Sequence, residues 1–483
     1  MRVRLFIMSV AVAVAMTGCA GLPSKSKPPQ LPAAVPLEGF DSPVGGNWPA
    51  QDWWKRYQDP VLDRLIELAV GSSPTLATAH ARFDTARQSV RLAGAAAGAH
   101  VEAVADIERQ RLSDNGLFPP QLLGFHWYDQ SDLGLQVSYT FDWWGKQRDA
   151  VDAAVDQAHA ARADRSAAAL MLESSVADAY FGWQADESRL ALARERAAIV
   201  EREGAIAAER IAADLDPPDN AQRSAQALAA EREEIAALDG SAALRIVALA
   251  ALIGRSIADL PKLEPRPLPP LSGNLPQDVK IDLMSRRADI TASRWRVEAA
   301  ERTLDSARAE FFPDLTINAL LGLSSIDVGK LLEYGSRVPQ ATAAIHLPIF
   351  DAGRLKARYG ASQAALDSAV AGYKDTLITA ARDVATQAST RAEIAARRSQ
   401  RLIQVGAARV LVDSAEARGR QGLSDVRAEL AATRSWMDQR GALLELDAAA
   451  LSADIALQRA LGGGYENPQN LVNSPSTGTT QTP

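Results

Sequence analysis

The fold of this chain is decided by a stretch that opens 352-AGRLKARYGASQAALDSAVAGYKDTLITAARDVATQ-387 and belongs to a proline-free segment from Ile349 to Asn467. The segment is rich in alanine, leucine, arginine and glutamate, which favour helix. Its apolar residues recur every seven positions, in the rows Tyr359, Leu366, Tyr373; Val370, Leu377, Val384; and Leu430, Met437, Leu444, Leu451. This period is typical of coiled coils. It predicts two very long helices, about 352–420 and 424–461, the first on the order of 100 Å long.

Helices of this length suit a spanning scaffold or a tube better than a globular domain. A helical bundle with a spectrin-like role is the alternative at this stage. The net charge of the 483 residues is −7, so no basic footprint indicates a nucleic-acid partner. The single cysteine excludes an intramolecular disulfide, and no apolar run reaches the roughly 18 residues of a transmembrane helix.

The N-terminus has the pattern of a secretory signal. Arg2 and Arg4 precede a short apolar run that ends in Met16-Thr17-Gly18-Cys19. The pattern predicts a signal peptide over 1–18. The cysteine after it resembles a bacterial lipobox, which implies a covalent lipid on Cys19; an ordinary signal peptide with an incidental cysteine is the alternative. Ala20, rather than aspartate, follows the cysteine, and by this resemblance it favours sorting to the outer membrane.

The mature chain divides into a tether, two similar halves and a tail. Residues 19–52 are expected to form a lipidated tether, 53–260 a first repeat, 261–276 a proline-rich linker, 277–464 a second repeat, and 465–483 a disordered tail. In the first repeat we expect strands at about 101–111 and 132–141 and long helices at about 146–214 and 220–253. In the second we expect strands at about 315–324 and 340–350, before the two long helices predicted above.

The join between strand and long helix occurs in both halves. Phe141 and Asp142 match Phe350 and Asp351, and Gly353 stands just before a basic residue as Gly145 does. Each strand is expected to end on the phenylalanine, and each aspartate to cap the next helix. Between 132 and 141, apolar side chains alternate with small polar ones. This alternation suits a membrane strand between lipid and water, and equally a soluble half-buried strand.

Several short motifs in this order resemble the TolC-like outer-membrane factor family, in particular its NodT-type lipoprotein branch. They are Met16 to Cys19, Trp53-Trp54 with Asp59-Pro60, Pro74-Thr75-Leu76, Phe141-Asp142, Arg286 to Ile290, Phe311-Phe312-Pro313, Phe350 to Arg354, and Gly422 to Asp425. The resemblance implies a homotrimer in the bacterial outer membrane. Three copies would share a 12-stranded β-barrel and extend into the periplasm as an α-barrel of coiled-coil helices.

The implied function is the outer-membrane channel of a tripartite efflux system that passively conducts drugs or other small toxic molecules. The implied partners are a periplasmic adaptor protein, an inner-membrane pump of RND or MFS type, and outer-membrane lipid. The residues agree with oligomerisation, because four strands cannot close a water-filled barrel and open edges are not tolerated in lipid. Trp143, Trp144, Phe311 and Phe312 suit either an interfacial aromatic belt or strand–helix packing.

By the resemblance, the helical-hairpin tips contact the adaptor and narrow to a gate. The residues concerned are Pro217 and Pro218 in the first tip and Arg418, Gly422 and Leu423 in the second. Asp425 is the candidate gate carboxylate, because three copies would form an acidic ring; a plain helix N-cap is the alternative, and both can hold together. The second tip has Gly419 where the family usually has tyrosine, and the first tip lacks glycine.

Two other classes of function stay open. One is a lipid-anchored periplasmic coiled-coil scaffold without a channel. The other is an enzyme, which the residues do not support: the five histidines are scattered, and no His-Glu-x-x-His, Cys-x-x-Cys or Gly-x-Ser-x-Gly spacing occurs. We therefore expect no catalytic residues, no metal site, and no cofactor beyond the lipid on Cys19.

Overall fold

The structure, a computed structural model, describes residues 28–32, 44–270, 275–276 and 279–466. The expected signal peptide, Cys19, parts of the tether and linker, and the tail from 467 onward lie outside the described residues. Two compact units are present. One comprises the described part of 1–31 together with 83–160 and 293–373, and the other comprises the described parts of 32–82, 161–292 and 374–483.

Helix dominates the chain, as predicted. The α-helices are α1 (Pro60–Ser72), α2 (Pro74–Ala96), α3 (Pro120–Leu123), α4 (Lys146–Ala212), α5 (Asp219–Ile253), α6 (Val279–Arg286), α7 (Ala288–Ala309), α8 (Arg354–Arg420) and α9 (Val426–Ala460). Short 3₁₀ turns occur at Trp53–Tyr57, Ile257–Asp259, Val328–Lys330 and Tyr334–Ser336. The strands are β1 (Val44–Gly46), β2 (His100–Arg111), β3 (Trp127–Phe141), β4 (Leu275–Pro276), β5 (Asp314–Ser325) and β6 (Arg337–His346).

The two halves repeat each other closely. The helices α4 and α8 each have 67 residues, and α5 and α9 each have 35. The first long helices begin 208 positions apart (354 minus 146). The aspartates that precede them are 209 positions apart (351 minus 142), because the first half has one more residue between the aspartate and the helix. The predicted pair of structural repeats is therefore confirmed.

Four strands form one antiparallel sheet in the order β2-β3-β5-β6. Both hairpins are regular. The strands β2 and β3 pair from His100 opposite Ser138 to Arg111 opposite Trp127. The strands β5 and β6 pair up to Asp314 opposite His346. The central pair, β3 and β5, joins the two repeats. A separate two-stranded sheet pairs β1 with β4 in parallel, so part of the expected linker is a short strand.

Two strand predictions need correction. The strand β3 begins at Trp127 rather than at about 132, because the last residues of β2 give it partners as far as that position. The strand β6 covers Arg337–His346 rather than 340–350. It ends at His346 because its partner β5 begins at Asp314, and Pro348 has no N–H to extend the ladder. Phe141 ends its strand as predicted, but Phe350 does not.

The buried core of the second unit surrounds the start of α1. Asp59 caps this helix: its Oδ1 accepts the backbone N–H of Val61 at 2.9 Å, and Pro60 takes the first helical position. Leu62, Leu65 and Ile66 are completely buried and pack with α4, α5 and α9. By length and apolarity alone α5 could cross a membrane. However, Leu249 and Ile253 on this helix are buried in the same core.

Candidate functional site

The four-stranded sheet has one apolar and one largely polar face. Directly opposed residues of antiparallel strands lie on the same face, so the register assigns every side chain. The apolar face consists of Val101, Ala103, Ala105 and Ile107 of β2; Leu133, Leu135, Val137, Tyr139 and Phe141 of β3; Leu315, Ile317, Ala319, Leu321 and Leu323 of β5; and Pro339, Ala341, Ala343 and Ile345 of β6. Several are widely exposed, for example Leu135 at 51% and Leu321 at 64%.

The opposite face carries carboxylates, amides and hydroxyls. Its acidic members are Glu102, Asp106, Glu108, Asp132 and Asp314, and no lysine or arginine occupies a paired position on this face. Only Val104, Leu320 and Val338 interrupt it with larger apolar groups. The hydroxyls of Thr140 and Thr316 lie 3.0 Å apart across β3 and β5. A sheet with one face for lipid and one for water is the arrangement of a membrane barrel wall.

The outer edges of the sheet are unpaired. Within the described residues, no strand pairs with the free side of β2 or of β6. In lipid, each unpaired backbone N–H or C=O costs several kcal/mol. A sheet with this apolar face therefore requires further strands on both sides before it can lie in a membrane.

Both strand–helix junctions are closed by capping aspartates, as predicted. The Asp142 carboxylate accepts the backbone N–H groups of Gln147 at 3.1 Å and Arg148 at 2.8 Å. The Asp351 carboxylate accepts those of Gly353 at 3.0 Å and Leu355 at 2.7 Å. Gly353 has φ +87, a conformation that favours glycine. These contacts fix how each long helix starts beside the sheet.

Aromatic side chains mark the helix end of the sheet. The indole of Trp144 stacks on Phe312 with 4.5 Å between ring centroids, and its Nε1–H donates to the carbonyl oxygen of Pro313 at 2.8 Å. Trp143 and Trp144 are nonetheless 64% and 47% exposed. Such half-packed, half-exposed rings suit a membrane–water interface.

The two hairpin tips close in the same way. In the second tip, the N–H of Leu423 donates to the carbonyl oxygen of Arg418 at 2.9 Å, next to Gly422 with φ +72. In the first tip, the N–H of Leu215 donates to the carbonyl oxygen of Arg210 at 2.9 Å, and the preceding residue, Asp214, has φ +53. An aspartate thus takes the left-handed position that glycine takes in the second repeat.

The same correspondence identifies an exposed leucine in the first tip that the sequence alone did not single out. Leu215 and Leu423 occupy equivalent places and are 63% and 71% exposed. Arg418, Pro217 and Pro218, which we expected at the tips, are also exposed. An alignment of the two tip sequences on their leucines, rather than on the glycines, would have identified Leu215.

Asp425 is a helix cap with an arginine partner. Its Oδ1 accepts the backbone N–H of Arg427 at 3.2 Å, so the predicted capping role is confirmed. Its Oδ2 accepts from Arg427 Nε at 2.7 Å. These hydrogen bonds, the one from the Arg427 side chain above all, lower the pKa of Asp425 below its ordinary value. The carboxylate therefore stays ionised at neutral pH.

A chain of ion pairs connects the two tips. Arg427 Nη1 also lies 3.3 Å from Oδ2 of Asp216 in the first tip. Asp216 is held on its other side by Arg210, at 2.9 Å from Nε and 3.1 Å from Nη2. The hydrogen bonds from Arg210 lower the pKa of Asp216. The order Arg210, Asp216, Arg427, Asp425 alternates in charge.

The chain matches the family model of outer membrane efflux proteins over residues 65–255 and 282–463. It is 32% identical over 475 residues to the multidrug resistance outer membrane protein MdtP of Escherichia coli K12, covering 96% of this chain and 97% of the relative. Its structure resembles the crystal structure of the outer membrane protein VceC of Vibrio cholerae (TM-score 0.79, 32% identity, 87% and 100% of the two chains). It also resembles the open state of the Neisseria gonorrhoeae outer-membrane channel MtrE (TM-score 0.76, 25% identity, 93% and 99%).

Proposed function

Because the chain belongs to the outer membrane efflux protein family, we propose that three copies of it form the outer-membrane channel of a tripartite efflux system. The protein is an outer-membrane efflux channel. The trimer, the partners, the lipid anchor and the cargo are parts of the proposal. The observation that carries it is the two-faced sheet with two unpaired edges.

Closure by copies of the same chain satisfies both edges at once. The free side of β6 in one copy would pair with the free side of β2 in the next, and three copies would give a closed ring of 12 strands. The apolar face would meet lipid and the acidic face would line the water-filled lumen. Carboxylates such as Glu102 and Asp106, with no lysine or arginine among the paired positions of that face, would favour cations in the lumen.

The hairpin tips would serve as the gate and the adaptor contact. Leu215 and Leu423 offer exposed apolar side chains to a periplasmic adaptor, which would couple the channel to an inner-membrane pump of RND or MFS type. Three copies of Asp425 would form an acidic ring. In each copy, the hydrogen bonds from Arg427 lower the pKa of Asp425 and so favour its ionised form.

The cargo proposed for this channel is drugs or other small toxic molecules, conducted passively. MdtP carries the name of a multidrug resistance protein, which supports a similar cargo here. A diacylated Cys19 would add a lipid anchor to the barrel. We propose no enzymatic role and no cofactor apart from this covalent lipid.

Planar-bilayer recording tests the proposal. The purified full chain should give stable ion channels that prefer cations, as read from the reversal potential in a salt gradient. Asp425→Ala should lower the cation preference and raise the leak conductance, while some preference persists because of the acidic sheet face. Asp413→Ala removes a carboxylate that pairs with Arg409 at 3.0 Å on α8, seven positions before that helix ends (420 minus 413), and serves as the matched control.

Two results would contradict the proposal in different parts. Absence of channels from correctly folded protein would contradict the channel and leave the scaffold alternative. If Asp425→Ala keeps wild-type conductance and selectivity, Asp425 acts only as a helix cap. The constriction would then be formed elsewhere, for example at Asp216 and Asp219.

Leu423→Glu separates docking from conduction. It should leave the isolated channel unchanged and weaken efflux in cells, since the leucine side chain is 71% exposed. Gly422→Pro would be unsuitable for the same purpose. Proline requires φ near −65°, whereas residue 422 has φ +72, so the substitution would rebuild the turn.

A further inference from the structure

The apolar face of the sheet contains a hollow of about 480 Å³. Its lining side chains come from two neighbouring rows of that face, Ala103-Leu135-Leu321-Pro339 and Leu133-Leu323-Arg337, and the backbone of Gly134 and Gly322 forms its floor. All of the side chains that line it are apolar except one. The exception is Arg337, in the row nearer to the β5–β6 loop.

Arg337 is a cation on the face that meets lipid. Its guanidinium stacks on the ring of Tyr334 at 4.1 Å from the centroid. Within the described part of the chain, no carboxylate forms an ion pair with it. Arg109, another arginine on the same face, differs in this respect: it lies 3.7 Å from Asp129 and over the ring of Trp127. A lipid-facing charge without a partner is costly near the bilayer centre and is tolerated at the interface, where anionic groups are available.

The depth of Arg337 can be worked out from the register. It shares a row with Leu133, which lies eight positions before Phe141 at the aromatic helix end of the sheet (141 minus 133). Eight residues of strand extend about 26 Å, or about 20 Å of height at the usual tilt. The apolar band of such barrels is ~25 Å tall, so Arg337 lies near the interface on the loop side. Trp127 and Tyr334 lie at the same end of the sheet.

We propose that the hollow holds an acyl chain of a phosphorylated lipid of the outer leaflet, whose phosphate pairs with Arg337. The inference rests on the proposed function, which places the helices in the periplasm and hence the strand loops at the outer surface. The phosphate meets the planar guanidinium at the rim, and Tyr334 holds that guanidinium in place. The acyl chain continues towards the bilayer centre past Ala103 and Pro339, which are small enough to leave the space open.

Lipid binding to the purified full chain tests this inference. The delipidated protein in a zwitterionic detergent is titrated with diphosphoryl lipid A and, separately, with lipid A from which the phosphates have been removed, and bound lipid is counted by native mass spectrometry. The wild type should prefer the phosphorylated form. Arg337→Gln should bind that form about tenfold or more weakly, the effect expected for losing a charged hydrogen-bonded pair. Arg109→Gln, whose arginine has Asp129 as its partner, should keep the wild-type preference.

A second variant tests the hollow independently of the charge. Ala103→Trp fills the space from an exposed, lipid-facing position, so it should reduce binding of both lipid forms while Arg337 remains. Unchanged preference in Arg337→Gln, or equal binding of the two lipid forms by the wild type, would overturn the inference.

Recording the same preparations in planar bilayers separates this inference from the proposed function. Arg337→Gln should conduct as the wild type does. If the protein forms channels but does not prefer phosphorylated lipid A, the lipid site alone would be overturned. If the protein prefers phosphorylated lipid A but forms no channels, the result would support the lipid site and contradict the channel.

Discussion

Tyr57→Phe is expected to destabilise the folded chain by about 2 kcal/mol, because it removes one hydrogen bond to a buried carboxylate. The Tyr57 hydroxyl donates to Oδ2 of Asp454 at 2.8 Å, and Asp454 is completely buried. The partners are 397 positions apart, so this bond fastens the start of the first repeat to α9. Arg56 and Arg391 each lie 3.6 Å from the same carboxylate and partly compensate it.

The substitution leaves the packing of the ring intact. Tyr57 meets Phe181 edge-on at 5.1 Å between centroids, and phenylalanine can make the same contact. Burial raises the pKa of Tyr57 above its ordinary value, so the hydroxyl keeps its proton at any pH used for the measurement. A loss of about 2 kcal/mol corresponds to about a 30-fold smaller folding equilibrium constant.

The measurement is a guanidinium titration of the purified protein in detergent, followed by intrinsic fluorescence, or the unfolding rate at fixed denaturant if refolding is incomplete. Tyr128→Phe is the matched control, since that hydroxyl donates to Gln110 Oε1 at 2.6 Å in an exposed position. The control should change stability by less than about 0.5 kcal/mol. Equal effects of the two substitutions would refute the claim that the Tyr57–Asp454 bond stabilises the core.

Three other changes give distinct outcomes. Burial raises the pKa of Glu173 to about 7 from 4.5, so between these values the folded chain holds a proton that the unfolded chain loses. The free energy of unfolding should therefore fall by about 3 kcal/mol as pH rises through that window. Denaturant titrations at pH 5 and 8 should show this fall in the wild type and not in Glu173→Gln. In Gly134→Val, the added Cβ would lie 3.0 Å from the Gly322 Cα, so the yield of heat-modifiable oligomer on gels should fall. The control Ser138→Val, on the same face of the sheet, should assemble. Equal yields from the two variants would show that the glycine contact is dispensable. Cys19→Ser should abolish labelling by a lipid precursor, and persistent labelling would mean that another residue is modified.

The regular parts of the fold follow from local sequence. The seven-residue rows predict α8 and α9 to within two residues, because side chains such as Leu366, Tyr373 and Leu451 must be buried along one line of each helix, and they are. The capping aspartates are equally predictable, since a carboxylate before a helix can accept its free N–H groups whatever the rest of the chain does.

The remaining features depend on partners distant in sequence. Alternating side chains extend past His346, yet β6 stops there because β5 offers no further partner. The pairing of Arg427 with Asp216 joins residues 211 positions apart, and no local pattern indicates it. The hollow beside Arg337 likewise forms from four strands in one register. Such features require the pairing of whole strands and hairpins to be known first.

We infer that this chain supplies four strands to a barrel that only three copies can close. The most direct test is the mass of the detergent-solubilised full chain, measured by light scattering with the detergent contribution subtracted. Closure by three copies predicts a particle with three copies of the chain and no stable smaller species that retains β-structure. A folded monomer that keeps its β-sheet in detergent would contradict it.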